Sequence, residues 1–154
     1  MEAENLAIVR RVIDKAWNRG NLGILDEPVA ASYIGHDPNI LHPSRGPEGF
    51  KESVMTARTT FGDFQIMVED LVAAEDRVAG RITMCGTHRG ALAGLPPTGK
   101  PVEFSGMFTR RLEGRTARGG LGVYQPVRPP PADRHDSNAW IDQQGARSRA
   151  PVSE

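Results

Sequence analysis

At Gly114 the order of residues changes character, and that break limits the fold more than any other feature of the chain. Up to Leu112 and Glu113, helical periods come first and strand alternation follows. Then come Gly114-Arg115-Thr116-Ala117-Arg118-Gly119-Gly120 and a stretch rich in Pro, Arg and Asp. The ordered part has to supply the core, while any strand after the break must form from a weak sequence.

Leu6, Val9, Val12, Ile13, Ala16 and Trp17 recur at steps of three and four, which predicts an amphipathic helix over 5–19. Gly20 suits the position after its end, and Asn21 suits the cap of a short second helix carrying Leu22, Ile24 and Leu25. An extended piece runs from Ala30 to Ile34 and ends at Gly35-His36-Asp37-Pro38, where Pro38 keeps its predecessor out of helical geometry. Pro47 and Glu48 favour the first turn of a third helix, with Phe50, Val54, Met55 and Arg58 following on one side. Strand patterns then cover Phe64–Val68, Val78–His88 and Val102 to about Leu112, with a turn at Asp76-Arg77 and a Gly/Pro loop over 90–100. Helices first and long strands after them predict an α+β domain, its helices on one face of a curved sheet.

With 154 residues the chain has room for one core and one enclosed pocket. Nineteen basic side chains against 19 acidic ones favour neither nucleic acid nor an anionic membrane as partner. No apolar run is long enough to span a bilayer, and the acidic start Met1-Glu2-Ala3-Glu4 is unlike a secretory signal, so a cytoplasmic protein is expected. Cys85, the single cysteine, allows no internal disulfide, and the spacing of His36, His42, His88 and His135 predicts no metal. Five of the 12 prolines lie at or after Pro126 and apolar residues are scarce there, so 126–154 reads as a disordered tail behind a domain over 1–125.

Several blocks, in this order, resemble the SnoaL-like polyketide cyclase or ester cyclase family of the NTF2-like fold. They are Ala16-Trp17-Asn18-Arg19-Gly20-Asn21-Leu22, Tyr33-Ile34-Gly35-His36-Asp37-Pro38, Arg45-Gly46-Pro47-Glu48-Gly49-Phe50, Gly86-Thr87-His88-Arg89-Gly90, Gly94-Leu95-Pro96-Pro97-Thr98-Gly99-Lys100 and Val102-Glu103-Phe104-Ser105-Gly106-Met107. The resemblance spans residues 5–113. It implies a cone of helices and a strongly bent, mixed or antiparallel sheet around an apolar pocket, and often a homodimer formed through the sheet. It also implies an intramolecular aldol closure of a lipophilic carbonyl substrate without cofactor or metal, in which an aspartate late in the chain relays the proton.

Where the family continues with Asp-Gly-Arg, acidic residues and a tryptophan, Gly114 to Leu121 has none of these acids. Codons able to spell this stretch can, read one base further on after Glu113, spell DGRLAEDWECIN and then LFGLLRQIGT. An insertion in the gene is the expectation that follows, with impaired catalysis in the chain as it stands. Residues 115–124 could still pair through their backbone, though Leu121, Val123 and the intervening glycines make a doubtful strand. Loss of that strand would expose a sheet edge.

His36 and Asp37 are the candidate acid–base groups, His36 at the end of the extended piece and Asp37 just before a proline; either could instead hold the turn. Trp17 and Tyr33 are candidate substrate-binding residues or core aromatics. Arg81 could anchor an ester or carboxylate oxygen or lie on the outer sheet face. His88 could meet a polar substrate end or bond a neighbouring strand. Ser105 and Met107 share one face of the third strand, where the resemblance implies pocket residues, and Met107 suits a wall rather than a catalyst. A noncatalytic binding module and a structural dimer are the rival functions.

Overall fold

The computed structural model describes residues 1–37, 42–91 and 96–124. Helix α1 (Glu2–Val12) continues into a π-helical turn, Ile13–Asn18, and a 3-10 turn, Leu22–Asp26, follows. Then come β1 (Val29–His36), the two-residue β2 (Ser44–Arg45), α2 (Gly46–Thr60), β3 (Phe61–Ala74), β4 (Arg77–His88), β5 (Pro101–Glu113) and β6 (Thr116–Tyr124). The sheet order is β2-β1-β6-β5-β4-β3, an open mixed sheet in which only β1 and β6 run parallel. The helices cover its inner face, as helix-first, strand-later patterning requires.

Two apolar clusters lock these layers. Val9 and Ile13 of the first helical segment pack with Phe64, Ile66, Val78, Ile82 and Leu112 of the sheet. Val54 and Phe50 of α2 pack with Ala16, Leu25, Val29 and Tyr33. Both follow from the apolar stripes, because a stripe at three- and four-residue steps can be buried only against another layer.

The π-helical turn has a specific anchor. Asn18 Nδ2 donates to the carbonyl of Ile66 at 3.0 Å, and the Ile66 N–H donates to Asn18 Oδ1 at 2.7 Å. One side-chain amide thus pairs with the backbone of β3, an edge strand of the sheet. Arg58 Nη1 donates to the carbonyls of Trp17 and Asn18 at 2.8 and 3.0 Å, satisfying acceptors that the end of a helix leaves open.

β6 departs from the doubtful strand of the sequence reading. It forms, and it lies inside the sheet between β1 and β5. Gly114 adopts φ +62 in the β5–β6 turn, a conformation that favours glycine. Backbone pairing on both sides supports a strand that carries glycine at 119, 120 and 122. The proposed tail, 126–154, lies outside the described residues, as do Pro38 and the Gly94-Leu95 pair.

Candidate functional site

Between the helices and the concave sheet face lies a cavity of about 910 Å³, the size expected of a small-molecule site. Strand alternation decides which side chains reach it. On β5, Phe104, Phe108 and Arg110 line the cavity, two residues apart or a multiple of two. Gly106 falls in the same series and is buried; a Cβ there would sit 2.3 Å from the Tyr124 ring, so glycine makes room for that ring. On β6 the inward series ends in Gly122 and Tyr124, both lining the cavity. Aromatic edges build the wall: Trp17 meets Phe50 at 5.8 Å, Tyr33 meets Phe50 at 5.5 Å and Phe61 meets Phe104 at 5.4 Å between ring centres.

The polar groups fall into two sets. His36, Asp37, His42, Arg45, Glu48 and Glu52 line the cavity beside or on the helix that follows β2. On the sheet side, the Arg110 guanidinium lies over the Phe108 ring at 5.1 Å and 6.0 Å from the Phe50 ring centre. Burial pushes the Tyr124 phenol above its ordinary value; Arg110 opposes that shift by its charge and a side-chain hydrogen bond, and the Asp37 carboxylate adds to it. A second, smaller void of about 40 Å³ lies behind Arg110, lined by Val9, Val12, Val29, Leu112 and Ala117 among others.

Of the residues singled out from sequence, Trp17, Tyr33, His36 and Asp37 line the cavity together. Arg81, Ser105 and Met107 do not. Arg81 pairs with Met107 and Thr83 with Ser105 across β4 and β5, on the sheet face turned away from the cavity, where Met107 is 62 % exposed. The physical reason is parity: Phe104 and Phe108 take the inner face, so odd-numbered neighbours point out. His88 is buried but outside the lining, its Nδ1 3.2 Å from Thr98 Oγ1 in the loop before β5. The sequence reading missed Arg110 and Tyr124. The signal for Arg110 was present, since it continues the spacing of Phe104 and Phe108.

Among the described residues, no three His, Cys, Asp or Glu side chains are gathered as a metal site would need, and no helix is long and apolar enough to cross a membrane.

A family model described as SnoaL-like polyketide cyclase matches residues 7–117. Aklanonic acid methyl ester cyclase AcmA of Streptomyces galilaeus is 29 % identical over 100 residues, covering 64 % of this chain and 68 % of that one. Aklanonic acid methyl ester cyclase DauD of Streptomyces sp. strain C5 is 28 % identical over 157 residues, covering 84 % of this chain and 92 % of that one. The solved structure of a SnoaL-like protein from Jannaschia sp. CCS1 shares the fold with a TM-score of 0.73 at 17 % identity, covering 97 % of this chain and 95 % of that one.

Proposed function

The chain belongs to the SnoaL-like polyketide cyclase family, and from that premise we propose that its cavity is built for cofactor-independent acid–base chemistry on a lipophilic carbonyl substrate, with the principal acid missing from this sequence. The reaction in view is an intramolecular aldol closure: a base removes a proton beside a carbonyl, the enolate carbon attacks a second carbonyl, and the new alkoxide takes up a proton. Apolar walls that hold the two carbons together and exclude water supply the rest. AcmA and DauD, named as cyclases of aklanonic acid methyl ester, make a methyl ester of that kind the substrate class of choice.

The observation that carries this reading is the inner face of β6. Gly120 and Gly122 fall in the series that ends in cavity-lining Tyr124, and Gly120 lies directly across from Arg110. A strand expected to bring an aspartate into the pocket brings hydrogen atoms instead. Ala117, also inward, borders the 40 Å³ void. Read one base on, the same stretch would place Leu at 117, Asp at 120 and Glu at 122, filling the void and supplying acids. A one-base insertion after the Glu113 codon accounts for both deficits at once. In the chain as written, His36 and Asp37 are left as weaker acid–base groups.

The test has two parts. Resequencing the locus across the Gly114 codon should show codons that permit the shifted reading; codons that forbid it would end the insertion idea. Aklanonic acid methyl ester, incubated with this chain and with a version carrying the shifted segment, should be consumed at least about a hundredfold faster by the second, the order of a missing general acid or base. Equal rates would sink the claim of impairment.

Noncatalytic binding in the same cavity is the second reading, favoured by the aromatic lining. A homodimer belongs with either: Met107, Leu121 and Val123 form an exposed apolar patch on the outer face, with Met107 directly opposite Val123. Cys85, buried and outside any disulfide, suits the reducing cytoplasm.

A further inference from the structure

We infer that Arg110 and Tyr124 form an anion-receiving pair inside the cavity, so that the preferred ligand is a ring system bearing one anionic oxygen group, as in an aryl carboxylate or an ionised enol. This rests on the cavity reading above, applies to the chain as written and not to the shifted reading of β6, and adds to the cavity the charge of its occupant.

Four features of the site point to this class. First, among the described residues the Arg110 guanidinium lies over the Phe108 and Phe50 rings, donates from Nη1 to the carbonyl of Thr109 at 2.9 Å and lies beside the Tyr124 phenol. Several surface arginines instead meet carboxylates, as Arg111 meets Asp76 at 2.9 Å and Arg118 meets Glu113 at 3.1 Å. A guanidinium balanced by rings and a carbonyl keeps several of its five N–H donors for a ligand, and its planar fork matches two oxygens on one carbon.

Second, both groups line the large cavity. Third, a phenol is protonated at neutral pH, and burial holds this one further toward that form, so it can donate to an anion. Fourth, the rings of Phe50, Phe104 and Phe108 around the pair offer faces to an aromatic body. An amphipathic ligand fits both demands: its rings take the wall and its oxygen takes Arg110.

The Asp37 carboxylate belongs to the same site. It lies near enough to act on the Tyr124 phenol and lines the same cavity.

Isothermal titration with 2-naphthoate and its neutral isostere 2-acetylnaphthalene tests the pair on the full chain. Naphthoate should bind at least about tenfold more tightly, the size of one charge-assisted contact. Arg110→Met, checked by circular dichroism to be folded, should bring that ratio close to one. Arg110→Lys should restore part of it, and Tyr124→Phe should lower it severalfold. Arg81→Met, on the outer face, should leave the ratio as it was. Equal binding of the two probes by the unaltered chain overturns the pair while the cavity stands, as does a preference that survives Arg110→Met. Binding of neither probe overturns the cavity reading along with it.

Discussion

Arg110 on β5 lies directly across from Gly120 on β6, a full-length guanidinium side chain opposite a residue with none. The fit is close: a Cβ at position 120 would sit 2.5 Å from Arg110 Nη1 and 2.6 Å from the carbonyl oxygen of Thr109. Backbone, as well as a movable side chain, stands in the way. Restoring an acid by Gly120→Asp alone should therefore lower the denaturant midpoint. Replacing 114–125 as a unit with the shifted-frame segment should raise it, because the Asp-Gly turn and the new side chains reset the strand together. Equal midpoints for this chain and the segment replacement would contradict that.

Ala117 should accept a larger side chain. It borders a void of about 40 Å³ among Val9, Val12, Val29 and Leu112. Filling such a space is worth about 1 kcal/mol by the cost of residual cavity volume. Ala117→Leu should raise the urea midpoint by the corresponding amount with an unchanged slope. A fall would mean that the surrounding side chains cannot part for the extra carbons.

Tyr124 links stability to pH. Its burial raises the folded-state value above the ordinary 10.0. As pH rises the unfolded chain gives up this proton first, so it binds fewer protons than the folded chain and stability declines. The contribution is whole below about pH 10 and is lost as pH climbs through the folded value. Melting temperatures from about pH 9 to 11.5 should fall less steeply for Tyr124→Phe than for the unaltered chain. Parallel curves would remove Tyr124 as the source.

Asn18 joins the end of the first helical segment to the edge of the sheet. Truncating it to Ala leaves the Ile66 N–H and carbonyl without that partner, and the loss should cost about 1–3 kcal/mol. Thermal denaturation measures this. Hydrogen exchange at the Ile66 amide should accelerate by a larger factor than at amides of the central strands.

The outer-face patch gives the fifth expectation. Val123→Lys, opposite exposed Met107, should turn a dimer into a monomer by sedimentation velocity at micromolar concentration. A monomeric unaltered chain under those conditions would remove the dimer from the functional reading.

Helices and long strands were legible because their signals are periodic and local. Leu6 through Trp17 and Phe50 with Val54 name their own buried faces, and both segments are helical in the structure. Face parity on β5 was legible too, had Phe104 and Phe108 been weighed above the polarity of Ser105. What could not be read locally was β6. Glycines at 119, 120 and 122 carry no pattern, and the strand exists because two neighbours offer it hydrogen bonds. Tyr124 was hidden for the same reason: its place depends on Gly106, 18 positions earlier, leaving a gap for its ring.

The parallel pairing of β1 with β6 sets a timetable for the growing chain. β1 finds only the two-residue β2 near it in sequence; its main partner is reached about 90 positions later, a separation that slows folding. β3, β4 and β5 can form their antiparallel ladders while β1 still waits with one side open. Until β6 arrives, the molecule is two sheet fragments under a common set of helices, each presenting an unpaired strand side to other chains in the cell. A lesion that weakens β6 is therefore felt first as a longer wait, and greater demand on chaperones, before it is felt as lost chemistry.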